Sequence, residues 1–419
     1  MEHILDDLRW RGLVAQTTDE SALRAAFSSG QVTGYCGFDP TAPSLHFGNL
    51  VQLVLLRRLQ RAGHRVICLV GGSTGLIGDP RPSAERVLKT KEQTAEWVVG
   101  IRRQVRPFLD FDGDNPALLV DNLEWTQGLS ALDFLRDVGK HFRVNQMIKK
   151  DAVAARLASE EGISYTEFSY QLLQALDFLH LYRAFGCTLQ TGGLDQWGNL
   201  TAGVDLIHRV EGVSVHVLTT PLLTDAGGEK LGKSEGNAIW LSAAMTSPYA
   251  FYQYWLNIED ASVVGLLKTF TDRSREQIAD IEQRVATEPF RRAGQRMLAA
   301  DVTALVHGPS AAHAAQAAAE ALFGSGDLRA LDPATLRDAT AELPGGVVTA
   351  GAALVDALVA TRLAESRNAA RRVLADGGVS VNNVKVRDPG AALAPTDFLH
   401  GQVAILKRGR KALAAARLS

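Results

Sequence analysis

Between Val32 and Val70 the chain reads as strand, helix, strand, and that order leaves few folds open. "VTGYCGF" from Val32 is strand-like, "NLVQLVLLRRLQRA" from Asn49 is a helix nearly apolar all round, and "HRVICLV" from His64 is a buried strand. "ALLVDN" from Ala117 and "CTLQTGG" from Cys187 read as third and fourth strands, with helical segments between. This alternation implies an α/β fold with a parallel, doubly wound sheet. Ligands of such sheets sit beyond the carboxyl ends of the strands at the topological switch point, so chemistry is expected just after these strands.

Past about residue 245 the pattern turns helical: "SPYAFYQYWLNI", "DRSREQIADIEQRVA" and "RRAGQRMLAADVTALVHG" have helical periodicity and few strand formers. "ELPGGVVTAG" from Glu342 reads as a linker. Beyond it, "ESRNAARRVLADGGVSVNN" suggests a basic helix, a glycine turn and a strand, and "GQVAILKRGRKALAAARL" a late strand with a basic end. The domains expected are therefore 1–220, α/β; 221–340, a loop and an all-α unit; 341–351, a linker; and 352–419, a small separate unit.

With 419 residues, 46% of them hydrophobic, the chain can fill two or three cores. The charged, mixed N-terminus and the absence of a long apolar run point to a cytosolic protein without a membrane span. Cys36, Cys68 and Cys187 lack metal-type spacing and are expected as buried thiols. A net charge of -2 hides an asymmetry: residues 352–419 hold eleven Lys and Arg against five Asp and Glu, a surface suited to phosphate.

Three segments carry candidate chemistry. "GFDPTAPSLHFGN", Gly37 to Asn49, follows the first strand and leads into the apolar helix, so His46, Gly48 and Asn49 lie near a helix N-terminus, where backbone N–H groups favour an anion. A lone His-x-Gly is more often an ordinary capped turn, and its surroundings decide the matter. In "SYQLLQALDF", Tyr170, Gln174 and Asp177 recur at helical spacing as one polar stripe. A solvated stripe usually carries Lys and Glu, whereas Tyr, Gln and one Asp suit a pocket for a polar ligand. "TGGLDQWGN" joins Gly192 and Gly193 to Asp195 and Gln196, either an exposed turn or a place where backbone approaches a ligand closely.

"GGEKLGKS", Gly227 to Ser234, matches the phosphate-cradling pattern G-x-x-x-x-G-K-[ST]. That cradle must open a helix, but here "EGNAIWLS" follows, with Gly236 and Asn237 where the helix should begin. The match is accidental, and what survives is a glycine-flanked loop bearing Lys230 and Lys233.

These segments resemble, in the expected order, those of the class I aminoacyl-tRNA synthetases in their bacterial tyrosyl form. "YCGFDPTAPSLHFGN" is similar to the first signature, HIGH, and "KLGKS" to the second, KMSKS. "YQLLQALDF" and "TGGLDQWGN" look like intervening tyrosyl segments, and the C-terminal unit resembles a small RNA-binding domain first known from a ribosomal protein. The resemblance implies a Rossmann-like catalytic domain, an α-helical anticodon-binding domain and that RNA-binding domain. It also implies an enzyme that forms tyrosyl-adenylate from tyrosine and ATP and passes tyrosine to the 3′ end of tRNA(Tyr).

By that resemblance Tyr170, Gln174 and Asp79 take the ammonium group of tyrosine, Tyr35 and Asp177 its phenolic hydroxyl, and Gln190 belongs to the same pocket. Gly37, Asp39, His46, Gly48, Asn49, Gly193, Asp195, Gln196, Lys230, Lys233 and Ser234 line the ATP side, with Asp195 on ribose. His46 and Asn49 act near the phosphates, and the two lysines clamp pyrophosphate. Magnesium accompanies ATP, no prosthetic group is tightly bound, and a homodimer is expected. Two positions depart from the family pattern: Asn49 replaces the second histidine of the first signature, and Arg81 is the one cation ahead of Arg86 where a loop lysine is frequent. Tryptophanyl synthetases share the scaffold, and a non-catalytic RNA-binding protein is a rival from another class.

Overall fold

The computed structural model describes residues 2–81, 84–224, 227–228, 231–234, 237–324, 326–409 and 412–419, and it forms two compact units. Unit one comprises Met1–Met245 with Ile258–Gly294, and unit two Thr246–Asn257 with Gln295–Ser419.

Unit one is built on a six-stranded sheet: β1 (Gln16–Thr17), β2 (Thr33–Phe38), β3 (Arg65–Val70), β4 (Leu118–Asp121), β5 (Cys187–Gly193) and β6 (His216–Thr220). Its order is β1-β6-β5-β2-β3-β4, with every pair parallel except the short edge pair of β1 and β6. From β2 the chain moves one way to β3 and β4, then returns to place β5 on the other side. The switch point therefore lies between β2 and β5, where a crevice opens at the carboxyl ends.

The helix Phe47–Arg61 follows β2 and is buried nearly all round. One face lies on the sheet; on the other, Phe47 meets Phe270, with ring centroids 5.4 Å apart. Arg11 and Arg58 bind the Thr271 carbonyl at 3.1 and 2.6 Å, and Arg61 pairs with Asp272 at 2.7 Å. These contacts correct the 221–340 boundary, because Asp260–Phe270 and Arg275–Thr287 belong to unit one. Helical periodicity does not tell a reader which body a helix packs on.

Unit two joins helices Pro248–Leu256, Pro309–Phe323 and Pro333–Ala341 to a five-stranded sheet and the short helices Leu354–Ala360 and Arg367–Ala375. The expected linker is instead partly a strand, Gly345–Val348, paired in parallel with Ala412–Leu418. The tail is likewise a hairpin, Val403–Arg408 against Ala412–Leu418, rather than a late strand followed by a basic end. A second hairpin pairs Val379–Val381 with Val384–Val386 through a two-residue turn at Asn382 and Asn383, both with the positive φ that such a turn requires.

Candidate active site

A cavity of about 470 Å³ opens at the switch point. Tyr35 and Gly37 reach it from β2, Gln190 and Gly193 from β5, and Gln174 and Asp177 from the helix Tyr165–Phe185. Asp39, His46, Gly48, Asn49, Asp79, Asp195 and Gln196 line it as well. Tyr170 stands just behind this lining, its hydroxyl donating to Asp39 Oδ2 at 2.7 Å.

At one end, Asp177 is 2% exposed, and its two oxygens accept from Asn122 Nδ2 and Trp125 Nε1, each at 2.9 Å. Burial pushes its carboxyl up to about 8, while these two donors pull it back. The Tyr35 hydroxyl is buried without a hydrogen-bond partner among the described residues, and burial raises its pKa, with the Asp177 charge adding to the shift. Gln174 Oε1 and Gln190 Oε1 are also buried and unpartnered. Orphaned polar atoms in a polar cavity mark places for a ligand's own donors and acceptors.

A second cluster centres on Asp79. Its oxygens accept from Asn199 at 2.9 Å and Gln196 at 3.2 Å, while Lys150 donates to the Asn199 carbonyl oxygen. Burial raises the Asp79 pKa, opposed by the two amides; it pulls the Lys150 ammonium down to about 7, opposed by the Asp79 charge. Asp39 is held by Thr74 and Tyr170, each at 2.7 Å. A Cβ on Gly71 would lie 2.1 Å from the Asp39 carboxylate, so only glycine fits there.

The first signature is a helix cap. His46 Nδ1 accepts from the Gly48 amide at 3.0 Å, and Asn49 Oδ1 accepts from the His46 amide at 3.0 Å, a reciprocal capping box. A neutral imidazole so held carries its proton on Nε2 and can donate it. Asn49 thus fills a structural position that does not need a charge. Gly48 has a reason besides ligand approach: a Cβ there would come within 2.9 Å of the His46 ring.

The second signature lies beside the first. The Phe47 amide donates to the Ile239 carbonyl at 2.9 Å, and the Ile239 amide to the Gly232 carbonyl at 2.8 Å. Gly232 has φ +95 and packs on Phe47, where a Cβ would approach to 2.7 Å. Lys233–Ser234 pairs with Asn237–Ala238 as a small hairpin, not a helix, which removes the phosphate-cradle reading. Lys230 and the side chains of Lys233 and Ser234 lie outside the described residues.

Sequence reasoning passed over several lining or supporting groups. Asn122 follows β4, where such residues were to be sought; Trp125 and Thr74 carry no short-motif signal. Arg86, to which no role was assigned, is among the described residues the one Lys or Arg that lines the cavity, whereas Arg81 is exposed and does not line it.

A switch-point cavity with a His-Gly cap on one wall and a Gly-Lys-Ser hairpin beside it defines the class I tRNA synthetases. A family model described as tRNA synthetases class I (W and Y) matches residues 28–324, and one described as the tyrosine–tRNA ligase SYY-like C-terminal domain matches residues 336–415. The tyrosine–tRNA ligase of Leifsonia xyli subsp. xyli is 59% identical over 414 residues, covering 99% of this chain and 93% of its own. That of Streptomyces avermitilis is 57% identical over 420 residues, spanning both chains completely. A C-terminally truncated mitochondrial tyrosyl-tRNA synthetase from Coccidioides posadasii superposes with a TM-score of 0.67 at 30% identity, covering 75% of this chain and 91% of that one. A tryptophanyl-tRNA synthetase from Encephalitozoon cuniculi shares the fold with a TM-score of 0.55 at 12% identity, covering 79% of this chain and 89% of that one. The chain belongs to the class I tRNA synthetases and, within them, to the tyrosine–tRNA ligase family.

Proposed function

We propose that this cavity activates L-tyrosine with ATP and then esterifies it to the 3′ end of tRNA(Tyr). The observation that carries the reading is the buried pair at the cavity's end, an unpartnered Tyr35 hydroxyl beside the Asp177 carboxyl. A phenol can donate to Asp177 and accept from Tyr35. Phenylalanine would leave the Tyr35 hydroxyl unpaired and deny Asp177 a further donor, at about 1 to 3 kcal/mol each; rejection of phenylalanine by tyrosyl-tRNA synthetase is itself the standing example of such discrimination. Tryptophan offers one donor and no acceptor, so it too would leave Tyr35 unsatisfied.

The ammonium group fits Asp79, Gln174 Oε1 and the lone pairs of Tyr170, while Asp195 and Gln196 face the ribose. In the first step the tyrosine carboxylate oxygen bonds to the α-phosphorus as the bond to the bridging oxygen of pyrophosphate breaks. In the second, the terminal ribose hydroxyl of tRNA bonds to the tyrosyl carbonyl carbon and AMP leaves, its phosphate taking the hydroxyl proton. Neither step needs a protein nucleophile, so positioning and placed charge supply the catalysis. His46 Nε2–H, Arg86 and the lysines Lys230 and Lys233 serve the phosphates. Magnesium enters with the nucleotide as part of the substrate.

The basic face of residues 352–419 would contact tRNA phosphates. A homodimer accords with the exposed Leu132, Leu135, Val144 and Ile148, which a second copy would cover. Cytoplasmic placement belongs to the same reading of the family; separately, no described helix is long and apolar enough to cross a membrane. ATP–pyrophosphate exchange tests the main reading: it should depend on tyrosine, and exchange driven by tryptophan, or none, would overturn it.

A further inference from the structure

Arg156 and Glu167 form an ion pair at 2.8 Å with side chains only 2% and 1% exposed, and neither lines the cavity. Burying two charges is costly, and such a pair is weak evidence for stability by itself, since apolar replacements of similar size are often neutral. Its remaining bonds show what the pair holds. Glu167 Oε1 accepts from the Arg86 backbone amide at 2.7 Å; Arg156 Nε donates to the Gly162 carbonyl at 2.9 Å and its NH1 group to the Arg81 carbonyl at 3.4 Å. Both ends of the segment that brings Arg86 to the cavity are therefore tied to one buried charge pair.

Glu167 sits in the first turn of the helix Tyr165–Phe185, which also carries Tyr170, Gln174 and Asp177. Ser164 caps that turn through the Glu167 amide at 3.3 Å. On the cavity side, Arg86 Nε donates to the Asp79 carbonyl at 2.9 Å, so the arginine is fixed at its amide by Glu167 and at its guanidinium by the backbone of an ammonium-pocket residue. A charge-assisted hydrogen bond to a backbone amide is both stronger and more directional than a neutral one.

We propose that Glu167 is a positioning residue for the activation step: held by Arg156, its carboxylate fixes the Arg86 backbone so that the guanidinium enters the phosphate side of the cavity. The inference rests on the tyrosine-activation reading above. Its distinctive consequence is that the clamp matters to turnover through Arg86 and not to tyrosine binding.

The experiment compares full-length wild type with Arg156→Met/Glu167→Leu, which removes the pair without leaving a lone buried charge, and with Arg156→Met/Glu167→Gln, which retains a carbonyl acceptor for the Arg86 amide. Thermal unfolding, the tyrosine Kd from equilibrium dialysis and kcat of tyrosine-dependent exchange are measured for each. The Leu pair should lower kcat by about tenfold or more with Kd changed by less than about threefold, and the Gln pair should recover most of that loss. On an Arg86→Gln background the Leu pair should cost less than about a further threefold, because the two act as one unit. Unchanged kcat, a Kd that weakens in step with kcat, a Gln pair as slow as the Leu pair, or a full multiplicative loss on Arg86→Gln would each overturn the proposal. Should the Leu pair not fold, Glu167→Asp keeps both charges while withdrawing the acceptor by one methylene, and carries the same expectations. Absence of tyrosine-dependent exchange in the wild type would instead refute the functional reading itself.

Discussion

Trp125 donates its indole N–H to Asp177 at 2.9 Å, and the opposite oxygen of the same carboxyl accepts from Asn122 at 2.9 Å. Asp177 is thereby oriented before any substrate arrives.

Asp177→Asn keeps the shape and removes the charge. Discrimination in kcat/KM for tyrosine over phenylalanine should fall by about tenfold or more, the equivalent of one lost hydrogen bond to a charged group. Steady-state exchange with both amino acids measures it, and undiminished rejection of phenylalanine would show that another group reads the hydroxyl.

The same carboxyl predicts a pH dependence. Burial holds it up to about 8 in the ligand-free protein, so below that value it carries a proton that a donating phenol must displace. Tyrosine affinity should therefore strengthen as pH rises towards about 8 and level off above it, while phenylalanine affinity shows no such slope. For folding the sign is opposite: between the ordinary value of 3.8 and about 8 the folded state keeps a proton that the unfolded chain releases, so this group's contribution to stability is lost as pH rises. Calorimetric titration across that window checks the binding half, and a flat tyrosine profile would contradict it.

Gly48→Ala places a methyl group within 2.9 Å of the His46 ring. The imidazole must shift away from its cap, so exchange kcat should drop by about tenfold while tyrosine Kd holds, since misplacing a group that stabilises charge acts on the transition state. Equal effects on both would place His46 outside the phosphate site.

Arg371 and Arg372 are exposed on the helix Arg367–Ala375. Reversing both to Glu should raise KM for tRNA and lessen its dependence on salt, with exchange unchanged. Deleting residues 352–419 is a poorer test, because Leu399, Val403, Ile405 and Leu413 share one core with Leu322, Leu331 and Leu336. If charge reversal leaves aminoacylation at high salt and low salt alike, the basic face does not meet tRNA.

Much of the site was legible because its chemistry is local in the chain. A helix start within "LHFGN" and a polar stripe within "YQLLQALD" follow from neighbouring residues, and strand alternation places both at the switch point. Arg86, Asn122 and Trp125 were less legible, since each meets a partner from a distant segment: Arg86 meets Glu167, and the other two meet Asp177. The unit boundaries were illegible for the same reason, as an amphipathic helix such as Asp260–Phe270 states that it must cover something but not what.

The sequence by itself determined the parallel sheet, the helix start after β2 and a polar stripe suited to a pocket, because backbone periodicity and side-chain chemistry are written residue by residue; the roles proposed toward a phenol, an ammonium group and phosphates came from the family resemblance. Only the tertiary structure decided which polar atoms are already satisfied and which await a ligand. Tyr170 is committed to Asp39, whereas the Tyr35 hydroxyl and the Gln174 and Gln190 oxygens are not. That division depends on burial and on hydrogen bonds between segments far apart in the chain, and it turns a set of suitable residues into a site.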